Sequence, residues 1–565
     1  MNLIKNSQDE LRQIILNALG EGVASGELPA EPIPSFNIEI PADRSHGDFA
    51  TNVAMVCAKA FKLPPRKIAE VISEKVYLEG SFFSKYEVAG PGFINFFLAD
   101  KWYSVVIDTV LSEGNSYGRT NLGENKKVMV EFVSANPTGP MHIGNARGGA
   151  IGDCLASVLD WAGFDVTREF YVNDAGNQIE KFATSLEVRY LQLYKDGIEL
   201  PEDAYKGDDI IEHAKAFAEI NGDKFVEAES ADRRKALVDY ALPLNIAKLK
   251  SDLEKYRIFY DVWFLESGLH NSGKVMEVVE KLKEKGLAYE KDGAVLYCSN
   301  KVARENDDEV VDDVLVRTNG IPTYFAADIA YHYNKFVERG FDKVIDVWGA
   351  DHHGHVARLK GAMADLDVNP DKLDVVLMQM VRLMRNGEVA KLSKRSGKSI
   401  TLSDLLEEIP IDAARFFFNL REANSHFDFD LTLAVEQSSQ NPVYYVQYAH
   451  ARICSILRNL KEEGAVPAEK GSDFTILSKT EEKELIRHLA ALPNEIDESA
   501  KAYDPARITR YSMELATLFH KFYAACHVKG EEDAIKAARL SLCEAVRLAL
   551  ENCSEILKID CPDKM

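Results

Sequence analysis

Apolar residues recur every three or four positions near the start of the chain, where Leu11, Ile14, Ile15 and Leu19 share one helical face. Segments that alternate between apolar and polar residues follow, such as FNIEI and INFFL, and this alternation is typical of strands with one buried face. Because helical and strand patterns are mixed within a short stretch, residues 1–115 are predicted to form an α+β domain.

The pattern changes near residue 122, where the apolar run Val128–Val133 leads into a loop that contains glycine and proline. A helical pattern then extends to Ala162, and a second strand pattern covers Val166–Tyr171. A strand, a loop, a helix and a second strand in this order begin a doubly wound parallel sheet. The fold class predicted for the middle of the chain is therefore α/β, of the Rossmann type.

Residues 185–300 are rich in charged residues and helix formers, and we expect them to form a helical insertion between the two halves of the sheet. Strand patterns return at Val344–Trp348 and Val375–Met380, so the α/β domain is predicted to cover 120–410. From 411–565 the apolar residues keep a helical spacing, which predicts a C-terminal all-α helical bundle.

The composition fits a globular protein, with 46% hydrophobic and 28% charged residues. The formal net charge of −23 gives no general attraction to nucleic acid, so an RNA-binding function must be argued from motifs. The eight cysteines include no Cys-x-x-Cys pair, which disfavours a zinc site and a disulfide framework, and we predict no protein-bound metal. We find no signal peptide and no apolar run long enough to cross a membrane, so we expect a cytoplasmic protein.

The segment NPTGPMHIGNARGG places His142 in a loop just before a predicted helix that starts near Asn145. Glycines such as Gly144, Gly148 and Gly149 let the backbone approach a ligand, and the amides at a helix N-terminus attract phosphate. An imidazole at this position could donate a hydrogen bond to the charge that develops on a phosphate. The simpler alternative is a histidine whose hydrogen bonds are satisfied within the turn.

A second candidate motif is the basic stretch KLSKRSGKS, in which Lys391 and Lys394 flank Ser393. A loop of this kind can close over a triphosphate, where two lysines and a Mg²⁺ ion would neutralise the leaving pyrophosphate. The alternative is an exposed basic turn, which is common in proteins. The order of the two motifs, one opening and one closing a nucleotide-binding sheet, favours the first interpretation.

Together the two motifs resemble the signatures of the class I aminoacyl-tRNA synthetases, His-Ile-Gly-His and Lys-Met-Ser-Lys-Ser. Asn145 replaces the second histidine of the first signature, and Leu392 and Arg395 replace the methionine and the last serine of the second. The resemblance implies that ATP is a substrate and that Mg²⁺ takes part. It also implies these catalytic residues: His142, Asn145, Lys391 and Lys394.

Two longer stretches narrow the resemblance to the arginine-specific members of that class: EFVSANPTGPMHIGNARGGAIGDCLASVLDWAGFDVTREFYVNDAGNQI and TNGIPTYFAADIAYHYNKFVERGFDKVIDVWGADHHGHVARLKGAM. The chemistry agrees, because a guanidinium needs a planar acceptor, and Tyr324 and Asp328 lie four residues apart on one predicted helical face. Without the resemblance, a core tyrosine and a surface aspartate in the first turn of a helix would be the simpler interpretation.

The same resemblance implies binding residues for both small substrates. The residues implied for arginine are Ser134, Asn136, Tyr324, Asp328 and His352. The residues implied for ATP are Gly144, Gly349, Asp351, His355 and Ser393. Residues that follow a strand at the carboxyl edge of such a sheet are well placed to bind a nucleotide. The histidines near Asp351 also suggest a metal site, which we disfavour because three histidines within four residues cannot all point inward.

Both ends of the chain contain candidate RNA contacts. Tyr444, Tyr448 and Arg452 follow one another at helical spacing, and folded RNA is bound partly through bases that stack on aromatic side chains. The segment NPVYYVQYAHARICSILRNL resembles the family's anticodon-binding domain, and HGDFATNVAM resembles its N-terminal module that contacts the tRNA elbow. The resemblance therefore implies that Tyr444, Tyr448, Arg452 and Asn52 contact tRNA. The alternative for the tyrosines is a buried core stripe.

The function implied by the resemblance is ATP-dependent activation of L-arginine to arginyl-adenylate and its transfer to the 3′-terminal ribose of tRNA(Arg). AMP and pyrophosphate are released, the partners are ATP, L-arginine and tRNA(Arg), and we expect a monomer with no membrane partner. One alternative is a catalytically silent tRNA-binding paralogue, which Asn145 keeps open. The other is a different class I nucleotidyltransferase or synthetase, although the zinc-binding thiols of a cysteine enzyme are missing.

Overall fold

The computed structural model describes residues 1–298, 312–390 and 400–565. Its N-terminal part contains α1 (Leu3–Ala24), β1 (Ile38–Glu39), β2 (Phe49–Thr51), α2 (Val53–Phe61), α3 (Pro65–Lys75), β3 (Phe83–Ala89), β4 (Phe93–Leu98) and α4 (Asp100–Glu113). The four strands form an antiparallel sheet in the order β1-β2-β4-β3. On α1 the side chains of Leu11 and Ile15 are fully buried. The predicted α+β character of this part is confirmed.

The next part of the chain forms an α/β unit. It contains β5 (Lys127–Glu131), α5 (Ile143–Trp161), β6 (Asp165–Val172), α6 (Asn177–Leu191), α7 (Asp208–Asn221), α8 (Ser230–Lys255), β7 (Val262–Leu265), α9 (Glu266–Asn271), α10 (Lys274–Glu284), β8 (Ala288–Lys291), β9 (Ala294–Tyr297), β10 (Asp313–Val316), α11 (Tyr324–Tyr333), β11 (Lys343–Gly349), α12 (His353–Asp365) and β12 (Leu373–Met378). Five of these strands form a parallel sheet in the order β12-β11-β5-β6-β7.

The strand order of this sheet reverses between β5 and β11. The chain builds the sheet from β5 through β6 to β7, and it then returns to the other side of β5 with β11 and β12. This is the doubly wound, Rossmann-type topology that the sequence predicted. Ligands of such sheets bind at the carboxyl ends of the strands where the order reverses.

The helices α6, α7 and α8 form an insertion with its own core, in which Phe182 and Leu186 are fully buried. We predicted a helical insertion over 185–300, but these helices end at Lys255. Val262–Leu265 is instead an edge strand of the main sheet, and β8, β9 and β10 form a separate antiparallel sheet. A strand this short lacks a pattern that could be distinguished from the surrounding helices.

The remaining elements form a small mixed sheet and a bundle. They are β13 (Val381–Arg385), β14 (Glu388–Val389), α13 (Leu402–Glu408), α14 (Ile411–Phe418), β15 (Phe427–Asp430), α15 (Pro442–Glu462), α16 (Thr480–Ala502), α17 (Ala506–Ala525) and α18 (Asp533–Leu557). The last four helices form the predicted all-α bundle. The predicted domain limits near residues 115 and 410 stay predictions, since α4 and α14 both pack against this bundle. Within the described ranges, no helix has the length and apolar character needed to cross a membrane.

Helix α5 packs closely against its neighbours because two of its four glycines lie where a larger residue would collide with other side chains. A Cβ atom at Gly152 would lie 2.3 Å from Cγ of Phe132, and one at Gly149 would lie 2.7 Å from Cδ1 of Ile258. We predicted that Gly148 and Gly149 let the backbone approach a ligand, but Gly149 instead accommodates the side chain of Ile258. The close packing holds the N-terminus of α5 beside the ends of the strands.

Candidate active site

The segment after β5 leaves the sheet through two residues in a strained conformation. Val133 and Ser134 have φ angles of 70° and 41°, and this left-handed region costs about 1–3 kcal/mol for a residue other than glycine. The turn directs the Ser134 hydroxyl back to the sheet, where it donates to Glu131 Oε1 at 2.9 Å and accepts from the Tyr171 amide at 3.1 Å. Strain maintained by such bonds is common at functional sites, and the predicted arginine-binding residues Ser134 and Asn136 lie in this segment.

His142 is the N-cap residue of α5, and Asn145 completes a reciprocal capping box. Nδ1 of His142 accepts a hydrogen bond from the Gly144 amide at 3.1 Å, and Oδ1 of Asn145 accepts one from the His142 amide at 3.1 Å. Because Nδ1 is an acceptor, the ring proton is on Nε2, which can donate to a ligand. Partial desolvation lowers the pKa of His142, so the ring is neutral at pH 7. Asn145 therefore has a capping role in place of the histidine of the signature.

A cavity of about 500 Å³ opens beside this cap. Its walls come from residues 133–145 and from the helical insertion, which supplies Tyr205 and Asp209. Asn245 of α8 donates to the Pro137 carbonyl at 3.0 Å and so ties the insertion to the loop. The sequence analysis missed the two residues from the insertion, because no local pattern relates them to the loop. The predicted site residues that line the cavity are Ser134, Asn136, His142 and Asn145.

The segment that follows the lysine motif is joined directly to the first motif. Thr401 forms an isolated antiparallel β-bridge with His142, and the Leu402 amide donates to the Met141 carbonyl at 2.9 Å. Residues 401 and 402, which are far from the first motif in the sequence, are therefore held beside it. The predicted residues of the lysine motif lie outside the described residues: Lys391, Ser393 and Lys394.

Tyr324 and Asp328 lie on one face of α11 and line a second cavity, of about 690 Å³. Nε2 of His355 lies 2.9 Å from Oδ2 of Asp328. Nδ1 of the same ring lies 3.3 Å from a guanidinium nitrogen of Arg358, which can only donate. His355 therefore carries its proton on Nε2 and donates it to Asp328, which holds the carboxylate at the wall of the cavity.

Residues that follow β11 also line this cavity. Asp351 and His352 line it, with side chains that are 83% and 58% exposed. A Cβ atom at Gly349 would lie 2.4 Å from Oδ1 of Asp351, which is the end of an exposed side chain that can move aside. His355, which was predicted to bind ATP, lines this cavity and contacts Asp328, so its role in ATP binding stays a prediction. The structure therefore brings residues predicted for ATP and residues predicted for arginine to the same cavity.

Glu266 is a buried carboxylate that the sequence analysis missed. It directly follows β7, is 2% exposed, and lines a third cavity, of about 260 Å³, together with Tyr324. Its Oε1 lies 3.1 Å from Nε2 of His270. Burial raises the pKa of Glu266, and the charge of Asp328 adds to the increase. The sequence could have indicated Glu266 as an acidic residue that directly follows a strand of the sheet. This signal could not be used, because β7 was not predicted.

Three protein-family models match the chain. The arginyl tRNA synthetase N-terminal domain matches residues 9–98, the class I (R) tRNA synthetase catalytic domain matches 106–454, and the DALR anticodon binding domain matches 446–565. The catalytic model covers more than half of the chain and includes both large cavities. The chain belongs to the arginyl-tRNA synthetase family. As a member of this family it is a class I aminoacyl-tRNA ligase that joins arginine to its tRNA, which confirms the function predicted from the sequence.

Members of the arginyl-tRNA synthetase family match the chain over its full length. The arginine–tRNA ligase of Ruminiclostridium cellulolyticum is 53% identical over 567 residues and covers 100% of both chains. The arginine–tRNA ligase of Caldanaerobacter subterraneus subsp. tengcongensis is 54% identical over 565 residues with the same coverage. The solved arginyl-tRNA synthetase of Thermus thermophilus has the same fold, with a TM-score of 0.73 at 21% identity over 99% of this chain and 100% of that one. These similarities do not support a silent paralogue or another class I enzyme.

The helical bundle carries the side chains that were predicted to bind tRNA on α15. The rings of Tyr444 and Tyr448 are stacked, with centroids 6.4 Å apart and planes inclined by 4°. Tyr448 is 41% exposed, so at this position the buried-stripe alternative is wrong. The guanidinium of Arg452 lies 4.4 Å from the centre of the Tyr523 ring. Two tyrosine rings and one guanidinium therefore lie along this helix, and their contacts with RNA stay a prediction.

Asn52, the tRNA contact predicted in the N-terminal part, also has a structural role. It precedes α2 as the N-cap residue, and its Oδ1 accepts a hydrogen bond from the Asn37 amide at 3.0 Å. This bond joins the segments that lead into β1 and α2. The side chain is therefore held in a defined position at the surface of the module.

The C-terminal segment packs on α15 through His450. Nδ1 of His450 lies 3.0 Å from the Pro562 carbonyl oxygen, and Nε2 lies 3.1 Å from the Glu551 carboxylate. His450, Cys454 and Asp563 are close enough together to bind a metal ion. Both ring nitrogens donate to oxygen acceptors, however, so the imidazole has no lone pair to offer. The cluster therefore holds the C-terminal segment in place by hydrogen bonds.

Proposed function

We propose that the chain activates arginine with ATP in the cavities beside His142 and Asp328 and then transfers it to tRNA(Arg). The observation that carries this assignment is the Asp328 carboxylate, which His355 holds at the wall of a cavity of about 690 Å³. A guanidinium forms paired, charge-assisted hydrogen bonds with such a carboxylate. Tyr324, on the same face of α11, offers a hydroxyl group and an aromatic surface to the same substrate.

ATP is proposed to bind at the N-terminus of α5. The positive end of the α5 helix dipole and the Nε2–H group of His142 are suited to the α-phosphate and to the charge that develops on it. Asn136 orients the arginine carboxylate, which attacks the α-phosphorus. The Ser134 hydroxyl gives its proton to Glu131, so its oxygen is suited to accept from the arginine ammonium group. The bond to pyrophosphate breaks and arginyl-adenylate forms, with catalysis mainly by positioning and electrostatics. Lys391 and Lys394 are proposed to neutralise the leaving pyrophosphate.

Two carboxylates are suited to other parts of the nucleotide. Asp351, next to Gly349 at the carboxyl edge of the sheet, is proposed to accept hydrogen bonds from the ribose hydroxyls. Asp209 lines the cavity beside His142. It would hold Mg²⁺ together with the phosphates, since this ion prefers carboxylate and phosphate oxygens. When bound, the ion offsets the negative charge of the pyrophosphate.

The tRNA is proposed to contact both ends of the molecule. Tyr444, Tyr448 and Arg452 offer stacking surfaces and a cation to the anticodon loop, and Asn52 contacts the elbow. The terminal ribose then attacks the carbonyl of arginyl-adenylate and AMP leaves. We also propose a monomer and a cytoplasmic location.

Aminoacylation with every amino acid in turn tests this proposal. Purified protein, ATP, Mg²⁺ and total tRNA are incubated with each proteinogenic amino acid in radiolabelled form. We expect acid-precipitable RNA to take up label from arginine alone. Label from a different amino acid would refute the pocket assignment, and no label from any of them would favour a silent tRNA-binding protein. We also expect ATP–pyrophosphate exchange to need tRNA. Full exchange in the absence of RNA would contradict this expected dependence on tRNA.

A further inference from the structure

Three acidic residues lie side by side across the middle of the parallel sheet. Glu131 on β5 is the register partner of both Asp346 on β11 and Glu169 on β6. Register partners on neighbouring strands point to the same face, so the three carboxylates form one row, which we call the acidic row. Glu131 is 6% exposed, and the other two are fully buried. Like charges on adjacent strands repel each other, so the row requires compensating cations.

Lys335 supplies the central cation. It lies in a π-helical turn, Asn334–Glu338, that continues α11. Its fully buried Nζ donates to Glu131 at 2.6 Å and to Asp346 at 3.0 Å, and it lies 4.1 Å from the centre of the Tyr331 ring. Burial lowers the pKa of Lys335, but the two carboxylates outweigh burial and raise that pKa above its usual value. The ammonium group therefore stays charged between two strands.

Arg339 and His332 complete the charge balance. Arg339 donates to both carboxylate oxygens of Glu169. His332 places Nε2 2.8 Å from Oδ2 of Asp346 and Nδ1 2.8 Å from the backbone oxygen of Asp328. Both partners are acceptors, so the ring nitrogens face them as donors. The acidic row is thus matched by a lysine, an arginine and a histidine from one continuous helical segment.

Lys335 connects the two halves of the proposed arginine site. On one side, Glu131 accepts a hydrogen bond from the Ser134 hydroxyl at 2.9 Å. On the other side, Asp346 binds the histidine that holds the backbone oxygen of Asp328. One ammonium group therefore lies between the strained segment after β5 and the helix that carries the pocket aspartate. π-Helical turns of this kind occur frequently at functional sites.

We propose that Lys335 is a positioning residue for arginine recognition, because it sets the separation between Ser134 and Asp328. The proposal rests on the proposed contacts of those two residues with arginine. A purely structural role is the competing explanation, because buried ion pairs can be replaced by neutral residues without loss of stability. A positioning role instead requires that arginine binding be impaired even when stability is restored.

Two variants separate these explanations. Lys335→Met removes the ammonium group and leaves the acidic row with one cation too few. Lys335→Met/Asp346→Asn restores the balance, because the new amide is neutral and its oxygen can still accept from His332. Arg539→Met is the matched control, since Arg539 forms a buried ion pair with Glu482 at 2.8 Å within the helical bundle.

Thermal midpoints and steady-state aminoacylation are measured for each variant, with arginine and ATP varied separately. We expect both Lys335 variants to raise the KM for arginine at least about tenfold while the KM for ATP changes less than about twofold. The double variant should recover a midpoint close to that of the unmodified protein. Arg539→Met should lower the midpoint and leave both KM values unchanged.

If the double variant recovers both the stability and the arginine KM of the unmodified protein, the proposal is overturned. Equal increases in both KM values would overturn it as well. Asp328→Asn distinguishes this failure from a failure of the proposed function. If Asp328→Asn leaves the arginine KM unchanged, the pocket assignment fails and this proposal fails with it. If Asp328→Asn alone raises the arginine KM, the pocket assignment holds and Lys335 has no positioning role.

Discussion

The two ring nitrogens of His142 separate a structural role from a proposed catalytic one. Nδ1 caps α5 by accepting from the Gly144 amide, and Nε2–H is proposed to donate to ATP. The motif was visible in the sequence because an N-cap and the glycines after it are local features. The sequence did not show that Oδ1 of Asn145 accepts a hydrogen bond from the His142 amide, because this bond depends on the conformation of the first helical turn.

Substitutions at His142 should separate these two roles. His142→Asn keeps a good N-cap acceptor and His142→Ala removes it, whereas both lose the donor at Nε2. We expect both variants to lose roughly 100-fold in the rate of tRNA-dependent ATP–pyrophosphate exchange. Only His142→Ala should also lose about 1 kcal/mol of stability in thermal unfolding. Exchange by His142→Asn at the rate of the unmodified protein would exclude a catalytic role for the imidazole.

Asp328 should control the requirement for arginine. Asp328→Asn keeps an acceptor for His355 but removes the charge that faces the guanidinium. We expect the KM for arginine in aminoacylation to rise by roughly 30- to 1,000-fold, or about 2–4 kcal/mol. Asp351→Asn is the matched control, and its effect should fall on the KM for ATP. The opposite pattern would show that the two binding assignments must be exchanged.

At the scale of elements, the position of α5 depends on the absence of a side chain at Gly152. Gly152→Ala places a Cβ atom 2.3 Å from Cγ of Phe132, and the shift that relieves this contact should cost about 1–3 kcal/mol. Gly20→Ala in α1 is the control, because a Cβ atom there meets nothing within 4 Å and should stabilise the helix by about 0.5–1 kcal/mol. Thermal midpoints that shift in the same direction for both variants would contradict this account.

At the scale of the whole molecule, Arg415 joins the sheet domain to the bundle. This fully buried residue of α14 donates to Asp153 of α5 at 2.5 Å, to the Tyr256 carbonyl at 2.9 Å and to the Leu557 carbonyl at 2.9 Å. Leu557 ends the last helix of the bundle, so the arginine binds three parts of the chain that are far apart in sequence.

Arg415→Met should therefore weaken the attachment of the bundle. Among the described residues, the buried Asp153 carboxylate then keeps one of its two cation partners, Arg168. We therefore expect a loss of about 3 kcal/mol in the free energy of unfolding. Arg415→Met/Asp153→Asn should recover part of that loss. The thermal unfolding of both variants is measured by calorimetry. An unchanged unfolding transition for Arg415→Met would refute the proposal that Arg415 attaches the bundle to the sheet domain.

The sequence by itself determined the succession of an α+β part, a doubly wound α/β part and an all-α bundle. Hydrophobic periodicity within a helix or strand is a local property, and any window of the chain contains it. The loop of His142 and the pair formed by Tyr324 and Asp328 were visible for the same reason. The resemblance to the class I enzymes used these local signals and correctly predicted the function.

Only the tertiary structure decided which distant residues meet. The acidic row exists because the register of three strands aligns Glu131, Glu169 and Asp346. Asp209 enters the cavity of His142 because the helical insertion folds back over the loop, and Glu266 lies beside Tyr324 because β7 joins the sheet. Register and packing arise from contacts between residues far apart in the chain, and no local pattern contains them.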